Sequence, residues 1–223
     1  MKHTIRRTSN RFSQFLYLLS LACLILGLFI LGWAVWPAPT DAVQFNIPAG
    51  PLPGAPEGFD FPSLSDYALN ISWPRWIRRD EVGLIHLRLT DLVQEPLPGN
   101  AVRGTQIVLV EPALYPLLIT PAGSVQANLG DDQELLLTWE VTGTSRGDFP
   151  GKMYVSFGFL GEAFPTDEEP QEELVAVPVA VVDLHIRVIG LWGWDSGLVI
   201  WFGLLSLVFW GVLFILGRVI AER

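Results

Sequence analysis

Three histidines, a tryptophan set among arginines and one acidic stretch are the residues of this chain whose types could do chemistry. His86 and His185 each interrupt a run of alternating apolar residues, so both point away from the apolar face of a strand. Two imidazoles meeting across a sheet could begin a metal site. Zinc would need further ligands, and no HExxH spacing and no nearby cysteine supplies them. His86 and His185 are therefore read as surface histidines, and His3 as part of a basic N-terminal tail. No G-x-S-x-G elbow presents a nucleophile, and no glycine-rich loop opens a helix to cradle phosphate. Glu162, Asp167, Glu168, Glu169, Glu172 and Glu173 lie close together with Pro165 and Pro170. Carboxylates can hold calcium, but this spacing is not that of an EF-hand and lacks its glycine turn. The stretch reads as a solvated hairpin loop, with Glu168, Glu169, Glu172 and Glu173 as candidate contacts for a basic partner. Arg75, Trp76, Arg78 and Arg79 are the second candidate contact group. Arginine and tryptophan are enriched at interface hot spots, and they suit a loop beside lipid headgroups equally well. No catalytic, cofactor-binding or metal set emerges. The chain is expected not to be an enzyme and to take no cofactor.

The elements that position these residues begin with two apolar runs. Phe15 to Trp36 and Leu198 to Leu216 contain no Asp, Glu, Lys, Arg, His, Asn or Gln. A helix rises about 1.5 Å per residue, and a hydrocarbon core about 30 Å thick calls for about 20 apolar residues. Both runs are expected to cross a membrane as helices, since a helix satisfies its own backbone hydrogen bonds in lipid. Lys2, Arg6, Arg7 and Arg11 precede the first run, and Arg218 and Arg223 follow the second. Acids prevail on the inner flanks. By the positive-inside bias both termini are expected in the cytoplasm of a cell with this protein in its cytoplasmic membrane. Trp33, Trp36, Trp192 and Trp194 fall where an outer aromatic belt would lie. The first run is longer than the apolar core of a secretory signal, so it is expected to stay as an uncleaved anchor.

Residues 37 to 196 hold 8 Lys and Arg against 22 Asp and Glu, a net charge near −14. That charge repels phosphate backbones, so nucleic acid is excluded as a partner. It also argues against the domain lying flat on anionic lipid. The single cysteine, Cys23, lies in the first apolar run, which leaves the outer domain without a disulfide. Such a domain rests on its hydrophobic core and suits a bacterial envelope.

The expected organisation follows. Residues 1–14 form a basic tail, 15–36 the first span, and 37–64 a Pro/Gly-rich linker. Residues 65–189 form the outer domain, 190–197 a connector, 198–216 the second span and 217–223 a tail. Within the outer domain, Tyr67, Leu69, Ile71 and Trp73 alternate with small or polar residues. So do Ile85 to Leu89, Val125 to Leu129, Leu135 to Val141 and Met153 to Phe159. The β-branched run 106–110 and the valine-rich run 174–189 complete seven strand signals. Period-two strands between Gly, Pro and Asp turns predict two packed antiparallel sheets. Trp139 resembles the buried sheet-centre tryptophan of immunoglobulin-like sandwiches, although the Cys…Trp…Cys pattern is missing. The expected fold class is two transmembrane helices flanking an extracytoplasmic immunoglobulin-like β-sandwich.

Inside the spans, Ser20, Gly27 and Ala34 recur every seven residues with Cys23 on the same side. Gly203, Trp210 and Gly217 keep the same spacing with Ser206 nearby. Small residues on one face let helices approach closely, either each other or another integral membrane protein. The expected role is a non-catalytic accessory or scaffold subunit of a membrane protein complex. Its partners would be the lipid bilayer and a second integral membrane protein, and no small-molecule ligand is expected. The alternative is an extracytoplasmic binding or sensing module acting through a membrane partner.

Overall fold

A computed structural model describes residues 2–50, 66–92, 106–129, 134–162, 172–191 and 196–221. The Gly130-Asp131-Asp132 turn, Trp192, Trp194 and the core of the acidic stretch, with Glu168 and Glu169, lie outside the described residues. The chain forms two compact units, a helical one (Met1–Pro37 with Gly190–Arg223) and a β unit (Ala38–Ile189).

The helical unit pairs α1 (Lys2–Val35) with α2 (Ser196–Ala221). The stretches Phe12–Val35 and Gly197–Ala221 are each long and apolar enough to cross a membrane. Helix α1 runs on through residues 2–14, which the sequence reading assigned to a tail. Helix α2 likewise takes up residues 196 and 197 of the expected connector.

Among the described residues ten strands build the β unit: β1 (Thr40–Ile47), β2 (Tyr67–Pro74), β3 (Trp76–Arg78), β4 (Val82–Asp91), β5 (Gln106–Ala113), β6 (Leu118–Thr120), β7 (Val125–Leu129), β8 (Glu134–Thr142), β9 (Gly147–Glu162) and β10 (Glu172–Ile189). They form two five-stranded sheets, ordered β1-β2-β4-β8-β6 and β3-β10-β9-β5-β7. One core holds the sheets together in an all-β, sandwich-like domain. It is filled by the inward half of each alternating strand: Leu69, Ile71, Ile85, Leu87, Trp139 and Val141 from the first sheet, and Val108, Val110, Met153, Val155, Phe157 and Ile186 from the second. Tyr67 and Phe157 meet across the layers with ring centroids 5.6 Å apart.

All seven strand signals correspond to strands, and three further strands sit where none was expected. Strand β1 lies inside the expected linker and pairs antiparallel with β2 from Thr40↔Pro74 to Ile47↔Tyr67. The linker reading therefore fails for residues 40–47. Their prolines flank the segment at 37, 39 and 48, and the eight residues between are free to join a sheet edge. Strand β3, read as loop, pairs parallel with β10 (Arg187↔Trp76, Ile189↔Arg78), so the sheets are not wholly antiparallel. Strand β10 changes phase midway. Val177 is buried, then Val182, Leu184, Ile186 and Val188. The register with β9 shifts between Pro178 and Ala180, where Val179 is the extra residue of a bulge. An inserted residue turns every following side chain to the other face.

Deleting a fully buried ring should reveal this core. Phe157→Ala is expected to destabilise the domain by about 3–5 kcal/mol, whereas the outward-facing Leu136→Ala stays within about 0.5 kcal/mol. Chemical denaturation of the two variants checks this. Equal losses would place Phe157 outside the core.

Candidate functional site

Two groups of predicted residues are assembled by the structure, one between the helices and one at an end of the sandwich. The helices run antiparallel. Gly27 faces Leu207 and the Gly203 carbonyl, Gly203 faces Ile30 and Leu31, and Gly217 faces Tyr17. A Cβ on Gly203 would come within 2.8 Å of Leu31, and one on Gly27 within 2.9 Å of Leu207. The Ser206 hydroxyl donates to the Cys23 carbonyl at 2.7 Å, and Tyr17 meets Phe214 edge-on at 5.7 Å. All seven predicted helix-packing residues except Ala34 thus lie at or in this seam. Ala34, half-buried, continues its rhythm at the end of α1.

The rhythm is finer than the seven-residue repeat. Ser13, Leu16, Ser20, Cys23, Gly27, Ile30 and Ala34 follow one another at alternating steps of three and four, all buried or half-buried. Val199, Gly203, Ser206, Trp210, Leu213 and Gly217 do the same on α2. That mean step of 3.5 residues keeps one stripe of each helix facing its partner, as in a coiled coil. The seven-residue repeat of small residues leaves out Ser13, Leu16, Ile30, Val199 and Leu213. The three-four alternation was the signal available.

The second group sits where the chain joins the sandwich. Strand β1 begins at this end and β10 finishes there. The segment from Pro74 to Arg79 straps the two together through its backbone. Arg75 N–H donates to the Pro39 carbonyl at 2.8 Å, Arg79 N–H to the Ile189 carbonyl at 2.8 Å, and Arg187 N–H to the Arg75 carbonyl at 3.1 Å. Side chains reinforce the strap. The Arg75 guanidinium grips Asp41 at 2.6 Å, and Arg187 pairs with Asp148, across from it in the β9–β10 register. Those hydrogen bonds from Arg75 and Arg187 hold the Asp41 and Asp148 carboxyls below the usual range.

The candidate contact residues divide accordingly. Arg75 is exposed, and Trp76 and Arg79 are half-buried. Arg78 does not fit a surface contact. Its side chain is 5% exposed, pairs with Glu81 at 3.0 Å and lies 5.1 Å from the Trp76 ring centroid. A guanidinium so enclosed is spent on its own fold. Glu172 and Glu173 open β10 in register with Glu162 and Gly161, at the opposite end of the sandwich.

The histidines do not meet. His86 lies on the outer face of the first sheet with Nδ1 3.0 Å from Thr138 Oγ1. His185 lies on the outer face of the second, 3.7 Å from Asp148. Among the described residues, no three His, Cys, Asp or Glu side chains gather as a metal cage.

No family model and no curated protein matches the chain. Solved structures do match. The CARDB domain of a Pyrococcus furiosus protein, crystallised in complex with di-metal ions, is 18% identical with a TM-score of 0.30. The match covers 53% of this chain and 84% of that one. A PapD-like domain of human CEP192 is 11% identical with a TM-score of 0.27, over 52% of this chain and 82% of that one. The complex of human zinc α2-glycoprotein with prolactin-inducible protein gives 11% identity and a TM-score of 0.29, over 66% and 93%.

Two outcomes test these arrangements. Ser206→Cys should form an intramolecular disulfide with Cys23 under mild oxidation, and adding Gly27→Leu should suppress it by wedging the helices apart. Cross-linking only between molecules would contradict the seam. For the junction, a carboxyl held below its ordinary pKa of about 3.9 adds stability above that pH, which is lost as pH falls through the folded value. The melting temperature should therefore drop in acid, and Asp148→Asn should flatten the drop. An unchanged acid slope would mean that the Asp148–Arg187 pair does not form in solution.

Proposed function

We propose that this chain is a two-span protein of the cytoplasmic membrane that carries an extracytoplasmic, immunoglobulin-like sandwich and serves as a non-catalytic accessory or scaffold subunit of a larger membrane complex. The observation that carries the membrane reading is an inversion of polarity between the two units. In the sandwich, large apolar side chains turn inward. In the helix pair, small residues fill the seam while Phe15, Leu18, Ile25, Phe29, Trp201, Val208 and Ile215 turn outward. Water would penalise that outward face, and hydrocarbon would not. The antiparallel pairing puts the outer ends of both helices on one side. The basic residues flanking the spans favour the cytoplasm for that side, with the first span kept as an anchor. The absence of disulfide-forming cysteines from the outer domain suits a bacterial envelope.

The scaffold role rests on an interaction-type fold in which, among the described residues, no three metal-ligating side chains gather. The glycine seam that suggested an integral partner is filled by the chain's own helices. A partner would then bind the outward helix faces or the sandwich. Arg75 gives the sandwich an exposed polar docking position, and the carboxylates of Glu168, Glu169, Glu172 and Glu173 suit a basic partner. Extraction of the full-length protein from its native membrane in mild detergent tests this. A second membrane protein at fixed stoichiometry is expected. Recovery of the chain alone at native abundance would overturn the scaffold role.

A further inference from the structure

Three features meet at the end of the sandwich where the chain enters and leaves. The first is exposed apolar surface. Leu118 and Val82 both stand beside Thr142 in the register of β6, β8 and β4, and they form a row at the rim of the outer face. Tyr115 lies in the turn just before β6. Their exposures are 91% for Tyr115, 62% for Leu118 and 51% for Val82. The second is positive charge. Segments 38–41, 74–82, 142–148 and 187–189 carry five of the domain's 8 basic residues (Arg75, Arg78, Arg79, Arg146 and Arg187) and only four of its 21 acids. The third is position. Residues 36–39 alone separate α1 from β1, and residues 190–195 alone separate β10 from α2. At about 3.5 Å per extended residue, those tethers reach roughly 14 and 21 Å.

We propose that this end is a lipid-docking surface, seated in the phospholipid headgroup layer of the bilayer that α1 and α2 cross. Tyr115, Leu118 and Val82 enter the interface, and the exposed Arg75 and Arg146 and the half-buried Arg79 reach lipid phosphates. A tyrosine with an apolar body and a polar tip is suited to headgroup depth, and arginine can keep a phosphate contact while its stem rests on apolar surface. Charge selects this end over every other part of the domain. Among the described residues, the rest of the domain holds two bases against nine acids and is repelled by phosphate, whereas at the junction the two signs nearly balance. The proposal rests on the membrane-spanning reading.

Spin labels on the full-length chain with Cys23→Ser test it in phosphatidylcholine–phosphatidylglycerol nanodiscs containing a nickel-chelating lipid. Labels at Tyr115→Cys and Leu118→Cys should relax several-fold faster than one at Leu136→Cys. Leu136 lies on the same outer face, six positions before Thr142 in β8, or about 20 Å away. A label at Phe209→Cys, on the outward face of α2, should be accessible to oxygen and shielded from aqueous nickel. If 115 and 118 relax no faster than 136 while 209 reads as hydrocarbon, the docking surface is wrong and the spans stand. Shielding of 115 and 118 from oxygen, aqueous nickel and the chelating lipid alike would mean protein contact, and would also overturn the proposal. Exposure of 209 to aqueous nickel would end both readings.

Discussion

A domain inserted between two antiparallel helices must return its chain at the end where it received it. In this protein the strap from Pro74 to Arg79 meets that constraint. It bonds to the Pro39 carbonyl on the incoming side and to the Ile189 carbonyl on the outgoing side. Strand β3, only three residues long, crosses to the second sheet to do so and runs parallel to β10 because both head for the same end. Gly143 makes the approach possible, since a Cβ there would overlap the side chain of Val188. The buried Arg78, the Asp41–Arg75 pair and the Asp148–Arg187 pair are consequences of closing the sandwich at this point.

The two units use opposite physics. The sandwich has no disulfide and is held by removal of apolar side chains from water, with Trp139, Phe157 and Met153 at its centre. The helix pair gains nothing from that effect if lipid surrounds it. Close backbone approach at Gly27 and Gly203 and the Ser206–Cys23 hydrogen bond take its place. Exposed ion pairs such as Lys152–Asp183, at 2.8 Å, add little to either unit. Their alternation along β9 and β10 keeps the outer face of that long hairpin polar.

Strands with clean alternation, such as Tyr67 to Trp73 and Leu135 to Val141, were legible because one face meets the core and the other meets water. The apolar helices were legible from length alone. Strand β1 was hidden because it is an edge strand with a weak alternation, set among prolines. Strands β3 and β6 have three residues each, too few to show a period. The bulge at Val179 could not be read in a run where both faces are valine-rich. Of the candidate contacts, Arg75, Trp76 and Arg79 were found as a group. The burial of Arg78 follows from a long-range meeting with β10 that no local pattern encodes. The row of Leu118 and Val82 joins strands far apart in sequence, so only the sheet register brings it together.

The central claim is that both spans cross one bilayer with the sandwich on the far side from both termini. Protease treatment of sealed vesicles of either orientation, with an epitope tag on each end of the chain, measures this directly. Right-side-out vesicles should lose the sandwich and keep both tags, and inverted vesicles should lose both tags and keep the sandwich. Loss of either tag from the same side as the sandwich would contradict the account.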